Sequence, residues 1–235
     1  MLFSIGRVHD LLRRVGYEVI PLPVARLLRR RPDLVLDVGA NEGQFASDLR
    51  RRGYRGRIIS FEPVPAVFEK LKEHARDDSA WELHHLALGA EAATLPMHVS
   101  NFTASSSILP PSERMGEFAG HLAFESTVEV PVRRLDALFG DLHRGEERVV
   151  LKVDTQGYER AVIAGADGVL DRLDAVMLEL SMVPLYEGEP PAEALLATLR
   201  DRGFSPAYFA PAFVQKPSRR WIQADVVFVR DDGGA

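Results

Sequence analysis

The 235-residue sequence has no cysteine and no long uncharged apolar stretch. The lack of thiols excludes disulfide bonds, thiolate metal ligands and a cysteine nucleophile, and it fits a reducing cytosol. Charged side chains interrupt every apolar run in residues 1–31, which argues against a secretion signal and a membrane-spanning helix. We therefore expect a cytoplasmic protein without a membrane span.

A positive net charge is also absent, because 29 basic residues stand against 34 acidic ones. Binding to nucleic acid requires clustered cations, so we expect no nucleic-acid partner. Two arginine-rich runs, at 26–31 and 50–57, indicate solvated helix ends, with a polyanion-binding patch as the alternative. The hydrophobic content of 46% suffices for one α/β core. We expect a helical extension over residues 1–31 and a single domain over residues 32–235.

The most informative stretch is LVLDVGANEGQF at residues 34–45. Its apolar residues are typical of a buried parallel strand, Gly39 and Gly43 permit close approach of the backbone to a ligand, and helical spacing follows. In open α/β sheets, this order places a ligand over the carboxyl end of the strand. The spacing D-x-G-x-x-x-G differs from the G-x-G-x-x-G of dinucleotide folds, and Asp37 would repel a diphosphate.

A carboxylate at this position suits a ligand with an ammonium group, and S-adenosylmethionine carries one together with a cationic sulfonium. A second acid, Glu62, follows a strand predicted over residues 57–61, and Pro63 ends that strand. Its carboxylate can accept hydrogen bonds from both ribose hydroxyls of the same cofactor. Because parallel strands end at one edge of a sheet, we expect Asp37 and Glu62 to face one crevice.

A third strand is predicted over residues 81–88. Its last residues, Ala87 and Leu88, are expected at the same edge of the sheet, beside an adenine ring. Residues 100–127 are rich in serine, proline and glycine and have no clear period. Long irregular segments of this kind are usually functional, so we expect a loop or lid that controls substrate access.

Two further acids end predicted strands. Asp154 directly follows the buried run VVLKV, and Glu179 lies near the end of the run AVMLEL. Both are therefore expected at the ligand-binding edge of the sheet. The chain then continues to a predicted antiparallel pair of strands over residues 204–209 and 224–229.

These motifs together resemble the FkbM-type family of class I S-adenosylmethionine-dependent methyltransferases. The matching pieces are DVGANEG at 37–43, FEP at 61–63, ALG at 87–89, SSS at 105–107 and LKVDTQGYE at 151–159. The last piece is the most specific, because K-x-D-x-x-G-Y-E after a buried strand is characteristic of this branch. The resemblance implies a Rossmann-like α/β fold, with a seven-stranded, mostly parallel sheet, helices on both faces and an antiparallel final strand.

The resemblance also implies O-methylation, often of a sugar or polyketide hydroxyl, as in natural product biosynthesis. By the same resemblance, the glycine loop lines the methionine end of the cofactor and Glu62 holds the ribose hydroxyls. The predicted cofactor-binding residues are Asp37, Gly39, Asn41, Gly43, Glu62, Pro63, Ala87, Leu88 and Ser106. Gln156 and Tyr158 are predicted to contact the substrate, and Thr155-Gln156 stands where Val-Glu is commoner in the family.

Methyl transfer from a sulfonium to a hydroxyl requires that the acceptor oxygen be held near the methyl carbon and that its proton be removed. A lone carboxylate or imidazole can take this proton, or a divalent ion can acidify the bound hydroxyl. Asp154 and Glu179 are the predicted catalytic residues, and in the second case they bind Mg²⁺. For Asp154, capping of the following helix is the alternative.

We predict that the chain transfers a methyl group from S-adenosylmethionine to a hydroxyl of a sugar, glycoside or polyketide. The alternatives are N-methylation of a small molecule and a non-catalytic domain that binds a nucleotide or a partner. Helix packing is the alternative role of Gly43, and pairing with a cation on its helix face is the alternative role of Glu159. The aromatic residues at 208, 209, 213 and 221 are expected in the core, with a sugar-stacking wall or a homodimer contact as alternatives.

Overall fold

The computed structural model describes residues 23–231, and no helix in that part of the chain is long and apolar enough to cross a membrane. Its strands are β1 (Leu34–Val38), β2 (Arg57–Phe61), β3 (Trp81–His84), β4 (Ala87–Leu88), β5 (Ala93–Ser100), β6 (Phe124–Arg133), β7 (Val149–Val153), β8 (Leu173–Ser181), β9 (Phe204–Val214) and β10 (Trp221–Arg230). Its α-helices are α1 (Pro23–Leu28), α2 (Gln44–Arg51), α3 (Pro65–Ala75), α4 (Glu113–Ala119), α5 (Leu135–Leu142), α6 (Glu159–Gly165) and α7 (Ala192–Asp201). Of the predicted helical extension, only the part that contains α1 falls within the described residues.

Seven of these strands form one sheet in the order β3-β2-β1-β7-β8-β10-β9. Strands β1, β2, β3, β7 and β8 are parallel, whereas β10 pairs antiparallel with both β8 and β9. Strands β1 and β7 are buried along their whole length, as expected for central strands covered on both faces. The predicted seven-stranded, mostly parallel sheet with an antiparallel end is confirmed.

Alternate residues of β1 face two different layers of helices. Leu36 and Val38 belong to a core cluster that includes residues of α5, α6 and α7. Val35 belongs to a second cluster, which includes residues of α1, α2 and α3. Helices therefore cover both faces of the sheet, as predicted, and Asp37 lies on the same face as Val35.

The prediction of one strand over residues 81–88 is wrong. Strand β3 ends at His84, and the next two-residue strand, β4, pairs with β6 in a separate three-stranded sheet of order β4-β6-β5. The chain turns at His85, whose ring stacks on Phe68 with 4.6 Å between the centroids. The aromatic contact and the pairing of β4 with β6 take the chain away from the main sheet, although the sequence predicts one continuous strand over both pieces.

The segment 100–127 is more ordered than predicted. It contains a 3-10 helix over Thr103–Ser105 and the helix α4, which the sequence pattern did not indicate. Met115 and Ala119 of α4 are buried in a cluster with Leu185. The segment is therefore a packed wall at one end of the sheet, and its role in substrate access stays a prediction.

The arginine run at 50–57 is tied into the fold by acidic partners. Arg50 donates a hydrogen bond to Asp78, with 2.6 Å between Nε and Oδ2. One guanidinium nitrogen of Arg57 lies 2.9 Å from both carboxylate oxygens of Glu147. These pairs neutralise part of the run, so the structure gives no support to a polyanion-binding patch at these two arginines.

Two helical glycines provide a matched test of the packing between α6 and β4. A Cβ atom on Gly165 would lie 2.0 Å from the carbonyl oxygen of Gly89, whereas a Cβ on Gly140 of α5 would meet nothing within 4 Å. Gly165→Ala is expected to lower the free energy of unfolding by about 2–3 kcal/mol because backbone must move. Gly140→Ala is expected to raise it by about 0.5–1 kcal/mol through helix propensity. Urea denaturation measures both, and equal effects of the two variants would show that this contact is not tight.

Candidate active site

Three loops meet at the carboxyl edge of the main sheet. These loops begin with Gly39 after β1, Glu62 after β2 and Asp154 after β7. The amide of Gly39 donates to the carbonyl of Phe61 (3.1 Å), and the amide of Asp154 donates to the carbonyl of Val38 (3.1 Å). Gly39 has φ +71°, and a Cβ there would lie 1.9 Å from the carbonyl oxygen of Asp154. Glycine at this position therefore lets the β1 and β7 loops touch.

A cavity, called the first cavity here, opens over this edge. Seven of the nine predicted cofactor-binding residues line it: Gly39, Asn41, Glu62, Pro63, Ala87, Leu88 and Ser106. The two predicted substrate contacts, Gln156 and Tyr158, line it as well. Apolar wall is supplied by Phe61, Met97 and Ile108. The structure thus brings together residues that lie more than 100 positions apart in sequence.

Glu62 is held rigidly at the floor of the first cavity. Its Oε1 accepts a hydrogen bond from the amide of Val64 (2.8 Å), and its Oε2 accepts one from the amide of Asn41 (2.9 Å). Burial raises the pKa of Glu62 to about 7, against the opposite effect of these two amides. Each carboxylate oxygen can accept a further hydrogen bond, so both oxygens can still serve a ligand.

Asp37 lies beneath the first cavity and is fully buried. Its Oδ1 lies 3.1 Å from Nζ of Lys152, and Ser60 Oγ donates to its Oδ2 at 3.3 Å. Lys152 Nζ also donates to the carbonyl of Gly39 at 2.8 Å. Burial would lower the pKa of Lys152, but Asp37 and Asp154 raise it above its usual value. The partner of the Asp37 carboxylate is therefore a lysine of the chain itself, and not the ammonium group of a ligand that the sequence predicts.

Gly43 directly precedes helix α2, and it packs against other residues and does not line the first cavity. Its φ is +89°, and a Cβ there would lie 2.7 Å from Cη2 of Trp81 and 2.8 Å from Cδ1 of Leu71. Helix packing, the alternative role considered for this glycine, is what the contacts support. Its predicted direct contact with a cofactor has no support in the geometry.

A second cavity of about 290 Å³ lies beside the first. Its apolar wall includes Phe102, Met115, Ala119, Leu122, Leu185 and Phe213, and its polar wall includes Asp154, Gln156, Glu179, Tyr186 and Gln223. Asp154 and Gln156 line both cavities and therefore stand at the boundary between them. A third cavity, lined by Phe45, Lys152, Met177 and Asp225, also reaches Asp154 and Glu179.

Gln156 connects the groups at this boundary. Its Nε2 donates to Asp154 Oδ1 at 2.9 Å and to Glu179 Oε2 at 2.7 Å. Gln223 Nε2 donates to the same oxygen of Glu179 at 2.9 Å. Burial raises the pKa of Glu179 well above its usual value, and the nearby Asp154 adds to this shift.

The predicted magnesium site is not supported. A metal ion bound by Asp154 and Glu179 would need the space into which Gln156 directs its amide hydrogens, and an N–H group repels a cation. Within residues 23–231, no group of three or more His, Cys, Asp or Glu side chains is placed to hold a metal. The two carboxylates share an amide donor instead, and their catalytic roles stay predictions.

Several residues of the site were missed or misassigned from sequence. Lys152, Tyr186, Gln223 and Asp225 line the cavities but were not predicted to do so. The signal for Lys152 was a single lysine within the otherwise apolar run VVLKV. Pairing with a cation was the alternative role of Glu159, but its Oε1 accepts hydrogen bonds from the amide (2.7 Å) and hydroxyl (3.1 Å) of Thr155.

The four aromatic residues considered as a sugar-stacking wall do not form one. Phe213 lines the second cavity. Tyr208 packs against a core cluster that contains Val150 and Met177. Phe209 and Trp221 have relative exposures of 41% and 43%. Only Phe213 is therefore placed to contact a ligand of the cavities described.

Comparisons with known proteins agree with this geometry. The sequence model of the Methyltransferase FkbM domain matches residues 37–206. The chain is 27% identical over 184 residues to the 2-O-methyltransferase NoeI of Sinorhizobium fredii, covering 75% of this chain and 74% of NoeI. It is 26% identical over 192 residues to the methyltransferase sdnD of Sordaria araneosa, covering 72% of this chain and 73% of sdnD.

Solved structures show the same fold at low sequence identity. Aeropyrum pernix fibrillarin, crystallised with bound S-adenosyl-L-methionine, has a TM-score of 0.50 at 17% identity. The match covers 95% of this chain and 74% of the fibrillarin chain. An rRNA methylase of Streptococcus thermophilus has a TM-score of 0.50 at 13% identity. The match covers 90% of this chain and 98% of the methylase chain. The predicted class I methyltransferase fold is confirmed.

Lys152→Met is expected to lower the free energy of unfolding by about 3–5 kcal/mol, because it leaves a buried carboxylate, Asp37, without its cation. Lys70→Met is the control, since Lys70 pairs with Glu42 at the surface (Nζ–Oε1 2.6 Å) and its loss should cost about 1 kcal/mol or less. Chemical denaturation at neutral pH measures both changes.

The double variant Asp37→Leu/Lys152→Met checks the cause of that loss. Removing both charges leaves no buried unpaired ion, so the double variant should be more stable than Lys152→Met alone. A double variant that is less stable than either single variant would contradict the assignment of Lys152 as the partner that Asp37 requires.

Proposed function

The chain belongs to the FkbM methyltransferase family, and we propose that it transfers a methyl group from S-adenosylmethionine to a hydroxyl of a sugar, a glycoside or a polyketide. The observation that carries this proposal is the position of Asp154, which lines both the first and the second cavity. A methyl donor in the first cavity and an acceptor in the second would meet at this carboxylate. The name of one relative, a 2-O-methyltransferase, supports oxygen as the acceptor atom.

The cofactor is proposed to fill the first cavity. Glu62 accepts hydrogen bonds from both ribose hydroxyls in this proposal, because the amides of Asn41 and Val64 fix the orientation of its two oxygens in the wall of the cavity. The adenine ring packs against the apolar side chains of Met97 and Ile108, beside Ala87 and Leu88. The methionine end passes over Gly39, where the absence of a side chain leaves room for it.

Asp37 is proposed to act on the cofactor through Lys152. The ion pair fixes Nζ of Lys152, which in turn holds the carbonyl oxygen of Gly39 at 2.8 Å. This arrangement sets the shape of the loop over which the methionine end would lie. Asp37 is therefore a positioning residue in this proposal, and Asn41, Thr103 and Ser106 are among the polar loop residues that line the first cavity.

The proposed reaction is an in-line displacement at the methyl carbon. The acceptor oxygen attacks this carbon, the new C–O bond forms as the S–C bond breaks, and the electron pair of the broken bond stays on sulfur. The hydroxyl proton passes to the carboxylate of Asp154, which borders both cavities. Glu179, held beside Asp154 through Gln156, lines the second cavity and helps to place the acceptor, and Tyr158 borders the reacting groups from the first cavity.

Cofactor affinity is expected to rise with pH through about 7. Burial raises the pKa of Glu62 to about 7, so this group is protonated below that value and is then a poorer acceptor for two hydroxyls. Calorimetric titration with S-adenosylhomocysteine should therefore give binding about tenfold tighter at pH 8 than at pH 6. Glu62→Gln should weaken binding at pH 8 by about tenfold or more and remove the pH dependence.

The control for this titration is Glu42→Gln, which removes an acid of the loop after β1. This acid pairs with Lys70 at the surface. This variant should keep both the affinity and the pH dependence of the natural chain. Unchanged affinity of Glu62→Gln at pH 8 would contradict the ribose assignment.

Turnover is tested with methyl-labelled S-adenosylmethionine against panels of free sugars, glycosides and polyketides, with mass spectrometry of the products. An O-methylated product is expected. Asp154→Asn should lower kcat by about 10²–10⁴-fold and leave S-adenosylhomocysteine affinity nearly unchanged, because the base is lost but the first cavity is not. Asp77→Asn is the control, since its side chain is 87% exposed.

Methylation of amines in place of hydroxyls would overturn the oxygen assignment and favour the N-methyltransferase alternative. Tight binding of S-adenosylhomocysteine without turnover of any acceptor class would favour a non-catalytic binding domain.

A further inference from the structure

Two carboxylates at the centre of the site converge on one neutral side chain. Gln156 Nε2 lies 2.9 Å from Asp154 Oδ1 and 2.7 Å from Glu179 Oε2, so each of its two hydrogens has a carboxylate acceptor. Its Oε1 lies 3.1 Å from the hydroxyl oxygen of Tyr186. This orientation of the amide is fixed by its surroundings, because the reverse one would direct a carbonyl oxygen at two carboxylates.

The backbone of Gln156 is held in an uncommon conformation that directs its side chain between the two acids. Its φ is +55°, which costs energy for a residue other than glycine. The hydroxyl of Ser107 donates to its carbonyl oxygen at 2.7 Å, and Gly157 follows with φ +92°. The fold thus maintains a strained residue at the boundary of the first and second cavities.

The side-chain amide of Gln156 holds the carboxyl groups of Asp154 and Glu179 close together without placing a positive charge between them. Where proteins bring two carboxylates together in a catalytic site, a divalent cation often bridges them. Here Glu179 Oε2 accepts from two side-chain amides, those of Gln156 and Gln223. Both donors are uncharged, and the cation that faces this pair, Nζ of Lys152, lies 3.8 Å from Asp154 Oδ2.

We propose that Gln156 takes the place of a divalent cation between Asp154 and Glu179, as a positioning residue that makes methyl transfer by this chain independent of metal. The part of this inference that concerns methyl transfer rests on the proposed function. The binding measurement that tests it requires no turnover, so failure of the inference and failure of the proposed function give different results.

The test is the variant Gln156→Glu, which replaces the amide by a carboxylate of the same length. Three carboxylate side chains would then converge on one point, a donor set that suits Mn²⁺ or Mg²⁺. Calorimetric titration with MnCl₂ should give binding at least about tenfold tighter for this variant than for the natural chain. Gln223→Glu is the matched control, because it adds the same charge beside Glu179 but not beside Asp154, and it should leave Mn²⁺ affinity within about twofold of the natural chain.

Measurements of turnover distinguish a positioning role of Gln156 from a purely structural role. The natural chain should keep its activity in the presence of EDTA, and Gln156→Glu should gain activity when Mn²⁺ is added. Gln156→Leu should lower kcat by about 10–100-fold, from the loss of hydrogen bonds to charged groups, with S-adenosylhomocysteine affinity nearly unchanged. Gln156→Asn keeps an amide and tolerates positive φ, but it is one methylene too short to bridge both acids and should show the same loss of kcat.

Two results would overturn the proposal. One is loss of activity of the natural chain on chelation, with recovery on addition of Mg²⁺. The other is Mn²⁺ binding by the natural chain as tight as that of Gln156→Glu. If no hydroxyl acceptor is methylated at all, the proposed function fails, and the Mn²⁺ titration still decides whether Gln156 occupies a cation position.

Discussion

The arrangement of the site depends on one buried ion pair, between Lys152 of β7 and Asp37 of β1. The two residues are register partners on adjacent strands, and their charged atoms lie 3.1 Å apart. A buried pair of this kind is tolerated only when its other polar atoms are satisfied. Ser60 and the carbonyl of Gly39 do so here, and Trp81 Nε1 donates in turn to Ser60 Oγ at 2.9 Å. The network fixes the β1 loop against the β7 loop.

The same face of the sheet supplies both the structural pair and the acids of the proposed reaction. Side chains alternate along each strand, so Asp37, Lys152, Glu179 and Asp225 project towards the layer that contains α1, α2 and α3. Glu179 and Asp225 are register partners on β8 and β10. Burial raises the pKa of Asp225 to about 6, with a further contribution from Asp154. Asp37 and Lys152 are thus ion-paired in the sheet centre, whereas burial favours the protonated forms of Glu179 and Asp225.

Local sequence was sufficient to predict the edge of the sheet but not the partners that meet there. The strand, glycine turn and helix at 34–45 and the acid before Pro63 are signals carried by neighbouring residues, and both were found. Lys152 gave a local signal, a charge in an apolar strand, yet its partner is set by the register of β1 against β7. Gln223 and Tyr186 come from distant segments that look like ordinary strand and loop, so only the fold shows that they reach the second cavity.

The most direct test of this account is a crystal structure of the chain with S-adenosylhomocysteine. The account predicts both ribose hydroxyls at hydrogen-bond distance from the Glu62 carboxylate, about 2.7 Å, and the sulfur atom at the side of the first cavity that Asp154 shares with the second. A ribose bound away from Glu62, or a sulfur atom separated from the second cavity by the Thr103–Ser105 wall, would contradict it.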